Sequence, residues 1–340
     1  MNIDTLKSVA NAIVAKQKGV LAADESTPTI KKRFDKVNVE STEEIRRRYR
    51  EILFTSEGIE RYIGGVILYD ETIRQSTQDG IPFSELLLSR GIMPGIKVDQ
   101  RAKELALYPG EKITEGLDGL RDRLIEYKEL GAKFAKWRAV IEIDEHDIPT
   151  EYAIRANAHA LARYAALCQE LDIVPIVEPE VLMDGSHTIE RCEEVTSRVL
   201  EAVFTELDAH RVMFEGMLLK PNMVIPGLKC ARQESPEKIA EATIRCMSRY
   251  VPAAVPGLVF LSGGQSAEDA TANLNAMNML GSHPWEVSFS YGRALQAPVL
   301  VEWKGQESNV VAAQKTLLKR AMLNGYARDG KYDQGMETSE

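Results

Sequence analysis

Short apolar runs alternate with longer stretches of helical periodicity along the whole chain. Several runs are almost continuously apolar, which is typical of parallel strands that are covered on both faces. Eight runs are predicted strands, at residues 19–23, 64–68, 94–98, 134–140, 174–177, 213–219, 258–261 and 286–289.

The segments between the runs predict helices. One of them opens with Ser41 and Glu44 in the spacing of a capping box, so Ser41 is the predicted N-cap. Further helices are predicted at residues 84–89, 119–130, 151–171, 189–209, 236–250, 267–279 and 309–324.

Eight repeats of strand and helix predict an α/β fold, a single-domain (β/α)8 TIM barrel. A chain of 340 residues is long enough for one such barrel. The predicted barrel domain covers residues 1–330, and the polar residues 331–340 are predicted to form a loose C-terminal tail.

Charge and composition exclude several classes of protein. The net charge of −9 disfavours a nucleic-acid partner, and no apolar stretch approaches the 18 residues of a membrane span. Four cysteines lie far apart without CxxC spacing, and the histidines form no HxH or HExxH pattern. We therefore expect reduced thiols in a cytoplasmic protein and no metal site.

Polar residues follow the predicted strands at a regular interval. Lys136, Glu178, Lys220 and Ser262 are successively 42 residues apart, which is the length of one strand–helix unit in this chain. The carboxyl ends of barrel strands meet at one mouth, so these side chains are expected to share an active site. The alternative is a set of ion pairs that closes the end of the barrel.

Lys220 ends an apolar run, and Pro221 after it cannot continue a strand ladder. Burial at that point, together with repulsion from Lys136, is expected to lower the pKa of Lys220. A neutral amine can form a Schiff base with a ketone, with Glu178 as general acid and base. Asp24, after the first strand, is a second carboxylate that can accept a proton. The alternative for Lys220 alone is a lysine that extends to solvent.

The last two strands are followed by segments that suit a phosphate group. Ser262 and Gly263 follow the seventh strand, and Ser290, Gly292 and Arg293 follow the eighth. Glycines let backbone amides approach an anion, and barrels often bind phosphate after these strands. A second phosphate is expected on the opposite side of the mouth, with Lys97, Arg138 and the loop at 26–29 as its ligands.

Together these residues give the chain a resemblance to class I fructose-1,6-bisphosphate aldolase along nearly its whole length. The matching motifs are LAADEST at 21–27, GGVIL at 64–68, GIKVD at 95–99, FAKWR at 134–138, IVPIVEPE at 173–180, LLKPNM at 218–223, FLSGGQS at 260–266 and SFSYGRALQ at 288–296.

The resemblance implies reversible cleavage of a sugar bisphosphate, fructose 1,6-bisphosphate, to dihydroxyacetone phosphate and glyceraldehyde 3-phosphate without a metal or other cofactor. It implies a Schiff base on Lys220, acid–base catalysis by Glu178, polarisation of the intermediate by Lys136 and proton abstraction from a hydroxyl by Asp24. It also implies a homo-oligomer, a tetramer or a dimer. The implied substrate and phosphate ligands are Ser262, Gly263, Ser290, Gly292 and Arg293 on the ketose side, Lys97, Ser26 and Arg138 on the other side, and Arg33 and Glu180 as supporting residues.

Two features depart from the vertebrate members of that family. Those members have Gly-Ser where this chain has Pro28 and Thr29, and Pro28 lacks an amide donor near the second phosphate. They also carry a longer tail with a terminal tyrosine that assists proton transfer to the enamine. Because this sequence ends at Glu340 and Tyr332 is not an obvious substitute, we expect another group to serve that step, or a slower step.

Two alternatives stay open at this point. Another Schiff-base barrel lyase, transaldolase-like or acting on one phosphate, would use Lys220 but would not need Lys97 and Arg138 in addition to Arg293. An inert scaffold or binding barrel would have no reason to keep Asp24 and Lys220 together. Competition between substrates would distinguish the first alternative from a fructose-1,6-bisphosphate aldolase. A trapping experiment on Lys220 would distinguish the second alternative from an enzyme.

Overall fold

The structure is a computed structural model that describes residues 1–144 and 148–338. Its β-structure consists of a closed barrel and one small antiparallel sheet. The strands are β1 (Gly19–Ala23), β2 (Ile63–Leu68), β3 (Met93–Lys97), β4 (Ala102–Glu104), β5 (Lys112–Thr114), β6 (Phe134–Ile141), β7 (Val174–Val181), β8 (Leu218–Leu219), β9 (Gly257–Phe260) and β10 (Glu286–Tyr291).

Eight of these strands form the barrel, in the order β1-β10-β9-β8-β7-β6-β3-β2, and all neighbouring pairs are parallel. The (β/α)8 prediction is therefore confirmed. The helices are α1 (Ile3–Ile13), α2 (Thr27–Asp35), α3 (Glu43–Thr55), α4 (Asp70–Ile73), α5 (Phe83–Ser89), α6 (Leu120–Glu129), α7 (Glu151–Glu170), α8 (Ile189–Ala209), α9 (Pro236–Tyr250), α10 (Ala267–Met279), α11 (Arg293–Trp303) and α12 (Val310–Arg328). None of the helices in the described residues is long and apolar enough to cross a membrane.

Several element boundaries differ from the sequence prediction. The strand predicted at 213–219 is only Leu218–Leu219, because residues Phe214–Gly216 form a 3-10 turn. The N-cap of α3 is Thr42 rather than Ser41, since the Thr42 side chain accepts a hydrogen bond from the amide of Ile45. The sequence analysis did not predict α1, α2, α4, α11 or the β4–β5 hairpin.

The lower half of the barrel interior is apolar. Inward-facing side chains from several strands pack with one face of α1, which closes this end. Gly95 leaves the space that the Phe134 ring occupies, because an added Cβ would lie 2.3 Å from that ring. Gly64 lies so close to α1 that an added Cβ would be 2.2 Å from the Ile13 carbonyl oxygen.

The same inward-facing register positions the polar residues. Residues two apart on a strand point to the same side, and Phe134 of β6 and Ile176 of β7 belong to the interior cluster. The next inward positions are therefore Lys136 and Glu178. Leu218 on β8 precedes Lys220 in the same way. The apolar floor thus leads directly into a ring of ionisable groups at the carboxyl ends of the strands.

The segment after α12 is not the loose tail that the sequence suggested. The Tyr332 hydroxyl donates to Glu337, and Glu337 forms an ion pair with Arg320 of α12 at 2.6 Å. The amide of Tyr332 donates to the Asn275 side chain of α10. These bonds hold residues 331–338 on the outside of the barrel, while residues 339–340 lie outside the described part of the chain.

Candidate active site

A cavity of about 830 Å³ opens at the carboxyl ends of the barrel strands. Every residue that the sequence analysis assigned to the site lines this cavity. They are Asp24, Ser26, Arg33, Lys97, Lys136, Arg138, Glu178, Glu180, Lys220, Ser262, Gly263, Ser290, Gly292 and Arg293.

Two lysines and two carboxylates form a continuous chain at the floor of the cavity. Glu178 Oε1 lies 3.0 Å from Lys220 Nζ, and Glu178 Oε2 lies 3.3 Å from Lys136 Nζ. Lys136 Nζ also lies 2.8 Å from Asp24 Oδ2. The side chains of Lys136, Glu178 and Lys220 are all at least nine-tenths buried. Glu178 can therefore exchange protons with the Lys220 amine while Lys136 holds its second oxygen.

The lysines determine the charge of Asp24. Burial of this carboxyl favours its neutral form, but Lys136, Lys220 and Lys97 together outweigh burial and hold the pKa of Asp24 well below its ordinary value. Asp24 is consequently ionised, which is the form of a carboxyl group that can accept a proton.

Lys136 has an environment different from the one expected. The sequence suggested a lysine that acts on Lys220 by like-charge repulsion, whereas the nearest partners of Lys136 are Asp24, Glu178 and Asp99. Burial opposes its charge, yet these carboxylates raise the pKa of Lys136 above its ordinary value. Lys136 is thus a fixed positive charge that is held by acidic partners.

Asp99 is a site residue that the sequence analysis missed. Its carboxylate lies 2.6 Å from Lys97 Nζ and 3.8 Å from Lys136 Nζ, and it is buried. Asp99 follows Lys97 by two residues, so the same-side rule for extended chain could have identified it. Asp99 therefore lies between the charges of Lys97 and Lys136.

The ketose-side phosphate residues surround one end of the cavity. The Ser290 hydroxyl is buried, and it has no hydrogen-bond partner among the described residues. Gly292 precedes α11, whose N-terminus opens on the cavity, and Gly263 has φ +55°. Met183 packs directly against Gly263, because a Cβ added at Gly263 would lie 2.2 Å from Met183 Cε.

Arg293 is the cation at this end. Its guanidinium forms no hydrogen bond or ion pair with the residues described, and partial burial and the positive charge of Arg33 lower its pKa. Two neighbouring arginines, an unused buried hydroxyl and a helix N-terminus together create a strongly anion-attracting surface.

Behind this surface a buried polar network connects β1, α2, α3 and α11. Glu25 accepts bonds from Arg33 and from Arg50, the latter at 2.6 Å. The Gln296 amide donates to Glu25 at 2.8 Å and to the carbonyl of Ala22 at 2.7 Å. Burial opposes the charge of Glu25, but Arg33 and Arg50 keep its pKa lowered.

The cations that the sequence assigned to the second phosphate differ in their availability from other cations that line the cavity. Lys97 and Arg138, which the sequence assigned to the second phosphate, are paired with Asp99 and Glu180 respectively. Three further cations line the cavity without an ion pair among the described residues, and the sequence analysis missed them. They are Lys32, Lys36 and Arg101.

Pro28 does not disturb the loop at 26–29. It lies in the first turn of α2, where a missing amide hydrogen leaves no intrahelical bond unmade. Ser26 is the residue before the helix, and its hydroxyl lies 3.1 Å from that of Thr29. Both hydroxyls therefore stay at the rim of the cavity.

The acidic side chains at the floor are already engaged by cations. Asp24, Asp99 and Glu178 each lie within 3.8 Å of a lysine nitrogen. In the part of the chain that the structure describes, the one histidine–carboxylate group with metal-like spacing lies elsewhere, between α7 and α8.

Comparisons with known proteins agree with this geometry. A family model described as fructose-bisphosphate aldolase class-I matches residues 5–340. A probable fructose-bisphosphate aldolase class 1 from Xanthomonas axonopodis pv. citri is 56% identical over 98% of this chain and 99% of the relative. A cytosolic fructose-bisphosphate aldolase 4 from Arabidopsis thaliana is 54% identical over 97% of this chain and 84% of its own length.

The fold is also similar to a solved structure. Fructose-bisphosphate aldolase from Plasmodium falciparum, crystallised with TRAP and a small-molecule inhibitor, superposes with a TM-score of 0.97 and 49% identity. The superposition covers 98% of this chain and 96% of that one.

Proposed function

Because the chain belongs to the class I fructose-bisphosphate aldolase family, we propose that Lys220 is the residue that forms its Schiff base and that Glu178, Lys136 and Asp24 carry the proton transfers. The protein is a lyase that reversibly cleaves fructose 1,6-bisphosphate to dihydroxyacetone phosphate and glyceraldehyde 3-phosphate. The observation that carries the residue assignment is the contact of Glu178 with both buried lysines, at 3.0 and 3.3 Å.

Imine formation uses the Lys220–Glu178 pair. Lys220 gives a proton to Glu178 and attacks carbon 2 of the ketose, which forms a carbinolamine. Glu178 then protonates the carbinolamine hydroxyl, so that water leaves and a protonated imine remains. The positive charge of Lys136 favours loss of the hydroxyl because it stabilises the electron-rich oxygen.

Bond cleavage uses Asp24. The ionised carboxylate takes the proton from the hydroxyl on carbon 4, the bond between carbons 3 and 4 breaks, and its electron pair moves to the imine nitrogen. Glyceraldehyde 3-phosphate leaves, and the enamine of dihydroxyacetone phosphate stays on Lys220. Protonation of carbon 3 and hydrolysis of the imine then restore the lysine.

The two ends of the cavity suit the two phosphates. Ser262, Gly263, Ser290, Gly292 and Arg293 are proposed to bind the phosphate on carbon 1. Among the residues that the structure describes, Arg293 has no ion-pair partner and the Ser290 hydroxyl has no hydrogen-bond partner. Lys97, Ser26 and Arg138 are proposed ligands for the phosphate on carbon 6. Glu180 forms an ion pair with Arg138, and Arg33 forms one with Glu25. Both are therefore proposed as supporting residues.

The remaining proposals concern the whole molecule. We propose that residues 1–330 form the catalytic domain and that the segment after them has no catalytic role. We also propose a cytoplasmic homo-oligomer, a tetramer or a dimer, in line with the family resemblance. A cytosolic relative and four free cysteines support the compartment, and sedimentation of the purified protein would measure the oligomer.

The residue assignment is tested by borohydride trapping with dihydroxyacetone phosphate, followed by peptide mass mapping. We expect one covalent adduct on Lys220, formed equally with and without a metal chelator. Lys220→Met should form no adduct and retain no cleavage activity. Lys229→Arg, which changes an exposed lysine outside the cavity, should behave like the unaltered protein.

An adduct that persists in Lys220→Met would move the Schiff base to another lysine, with Lys136 the first to examine. An intact protein that cleaves the bisphosphate but gives no adduct, or loses activity to the chelator, would contradict the proposed mechanism itself.

A further inference from the structure

A second cluster of reactive side chains lies on the outer surface of the barrel. His159 of α7 faces Glu206 near the end of α8, with 3.0 Å between His159 Nδ1 and Glu206 Oε2. His210 directly follows α8, and the two imidazole rings are 5.0 Å apart. One ligand atom from each of His159, Glu206 and His210 lies within 4.8 Å of the others.

This cluster is separate from the catalytic cavity. None of its three residues lines that cavity. Residues 206–210 are at the carboxyl end of α8, which leads into the amino end of β8, whereas active sites of such barrels lie at the carboxyl ends of the strands. The cluster is thus near the opposite end of the barrel, where the catalytic mechanism makes no use of it.

The chemistry of the cluster suits a transition-metal ion. Two imidazoles and one carboxylate are ligands that zinc and its neighbours prefer. Nδ1 of His210 lies 2.8 Å from the Glu206 carbonyl oxygen. A hydrogen bond to a main-chain carbonyl is the usual way to orient a ligating histidine, and it leaves Nε2 with a free lone pair.

The spacing and exposure agree with this chemistry. A tetrahedral zinc ion holds its ligand atoms about 3.3 Å apart, close to the observed distance between His159 and Glu206. The side chains of His159, Glu206 and His210 are 52%, 31% and 24% exposed, so an ion can enter from solvent and keep a water ligand.

We propose that His159, Glu206 and His210 form a surface site for a divalent ion of the zinc type, which joins α7 to α8. The ion replaces the proton that His159 and Glu206 otherwise share. The sequence pattern predicted no metal site, because His159 is far from the other two along the chain and only Glu206 and His210 are one turn apart. An ion that binds the folded chain alone stabilises it, in proportion to the logarithm of the ion concentration.

The test uses the full chain with zinc chloride alone as the probe. Titration calorimetry is expected to show one zinc ion per chain, and the melting temperature should rise with zinc concentration. His159→Ala should weaken binding at least tenfold and abolish the thermal shift. His283→Ala is the matched control, because it removes a histidine outside the cluster and should leave both measurements unchanged.

Copper(II) provides a spectroscopic readout that a merely structural cluster would not give. Electron paramagnetic resonance should show two nitrogen ligands in the unaltered protein and one in His159→Ala. Equal zinc binding by both proteins would overturn the proposal, and would direct attention to the partly exposed Cys230. Absence of zinc binding at micromolar concentrations would also overturn it, while cleavage of fructose 1,6-bisphosphate would be unaffected by either result.

Discussion

Asp24 is the residue at which burial and charge compete most directly. The carboxylate lies 2.8 Å from Lys136, and Lys220 also lowers its pKa. Asp24→Asn keeps the shape but removes the proton acceptor, so we expect kcat for cleavage to fall by about 10² to 10⁴. Borohydride trapping on Lys220 should persist, because in the proposed mechanism imine formation relies on Glu178. Steady-state kinetics and mass mapping of one preparation measure both effects.

The same carboxylate predicts how stability varies with pH. Its pKa in the folded state is below that in the unfolded state, so its contribution is fully present above about pH 4 and is lost as the pH falls further. Urea unfolding between pH 3 and 6 should show a shallower acid dependence in Asp24→Asn than in the unaltered protein. Parallel curves for the two proteins would contradict this prediction.

Arg101 combines a left-handed backbone conformation with a charge that has no ion-pair partner among the described residues. Its φ is +82°, a region that glycine adopts readily, and its exposed side chain lines the cavity on the second-phosphate side. A strained residue at a site suggests a functional reason for the strain. Arg101→Gly should stabilise the fold by about 1 kcal/mol yet raise KM for fructose 1,6-bisphosphate several-fold.

Fructose 1-phosphate lacks the second phosphate. It therefore distinguishes the effect of the lost Arg101 charge from the effect of the changed backbone. Its KM should be the same for Arg101→Gly and the unaltered protein. Lys304→Gly relieves a comparable φ of +50° far from the cavity and should stabilise without changing either KM. If Arg101→Gly leaves KM for the bisphosphate unchanged, Arg101 does not contact the second phosphate.

Most of the candidate site residues that the sequence could predict lie in or just after the carboxyl-terminal part of an apolar run. Lys220 and Glu178 were identifiable because a charge at a strand end is conspicuous. Arg101 was not, because it lies in the loop beyond the strand, where a charged residue is ordinary, and Asp99 could be found only by the same-side rule from Lys97. Their importance depends on neighbours that only the closed barrel brings together.

At the scale of elements, the predicted strand at 174–177 was correct in its start but too short. β7 continues to Val181 and carries Glu178 and Glu180 within it. Charged residues normally mark the end of a buried strand, so hydrophobicity alone ends it early. Here the charges face Lys220 and Arg138, and their pairing with these cations allows the strand to continue.

The element boundaries also show what local signals can determine. The first residues of α8, α9 and α10 agree with prediction. Each helix follows a Ser or Thr whose side chain accepts a hydrogen bond from an amide of the first turn. α11 lacks such a residue, since Gly292 precedes it and Pro298 lies inside it. Its helical state depends on packing against the barrel, which the sequence pattern does not reveal.

Gln296 connects elements on both sides of the proposed phosphate site. It lies one turn after Arg293 on α11 and bonds Glu25 and the carbonyl of Ala22. Gln296→Leu removes these bonds from a buried network, so we expect a loss of about 2–3 kcal/mol in the free energy of unfolding. KM should rise more than kcat falls, because α11 and the Asp24 segment lose their common support.

A glutamine on the outer layer provides the control for this substitution. Gln314 of α12 also bonds a main-chain carbonyl, that of Ile52, but lies near solvent. Gln314→Leu should cost much less stability and leave both kinetic constants unchanged. Gln296→Leu with unaltered kinetics would restrict the network to a structural role.

At the scale of the whole molecule, the closure of the barrel was predictable from eight repeats, but its two ends were not. The amino-terminal helix closes the floor because Gly64 and Gly95 leave room for Ile13 and Phe134. Nothing in residues 3–13 alone distinguishes a closing helix from a surface helix. The contact is between segments far apart along the chain, so only the assembled fold defines it.

The carboxyl-terminal segment provides the last prediction. Arg320 is only 5% exposed, and Glu337 is its charged partner. A chain that ends after Tyr332 leaves this buried guanidinium without that partner, so the free energy of unfolding should fall by about 2 kcal/mol. No residue among 331–338 lines the cavity, and we therefore expect kcat, trapping on Lys220 and proton exchange at carbon 3 to stay unchanged.

Glu337→Gln distinguishes the effect of losing the Glu337 charge from the effect of losing the terminal residues. It keeps the segment but weakens its bond to Arg320. It should reproduce a large part of the destabilisation in urea unfolding, again with unchanged exchange. If truncation instead slows carbon-3 exchange while Glu337→Gln does not, then the terminal segment itself reaches the enamine. The proposed division between a catalytic barrel and a stabilising terminal segment would then have to be abandoned.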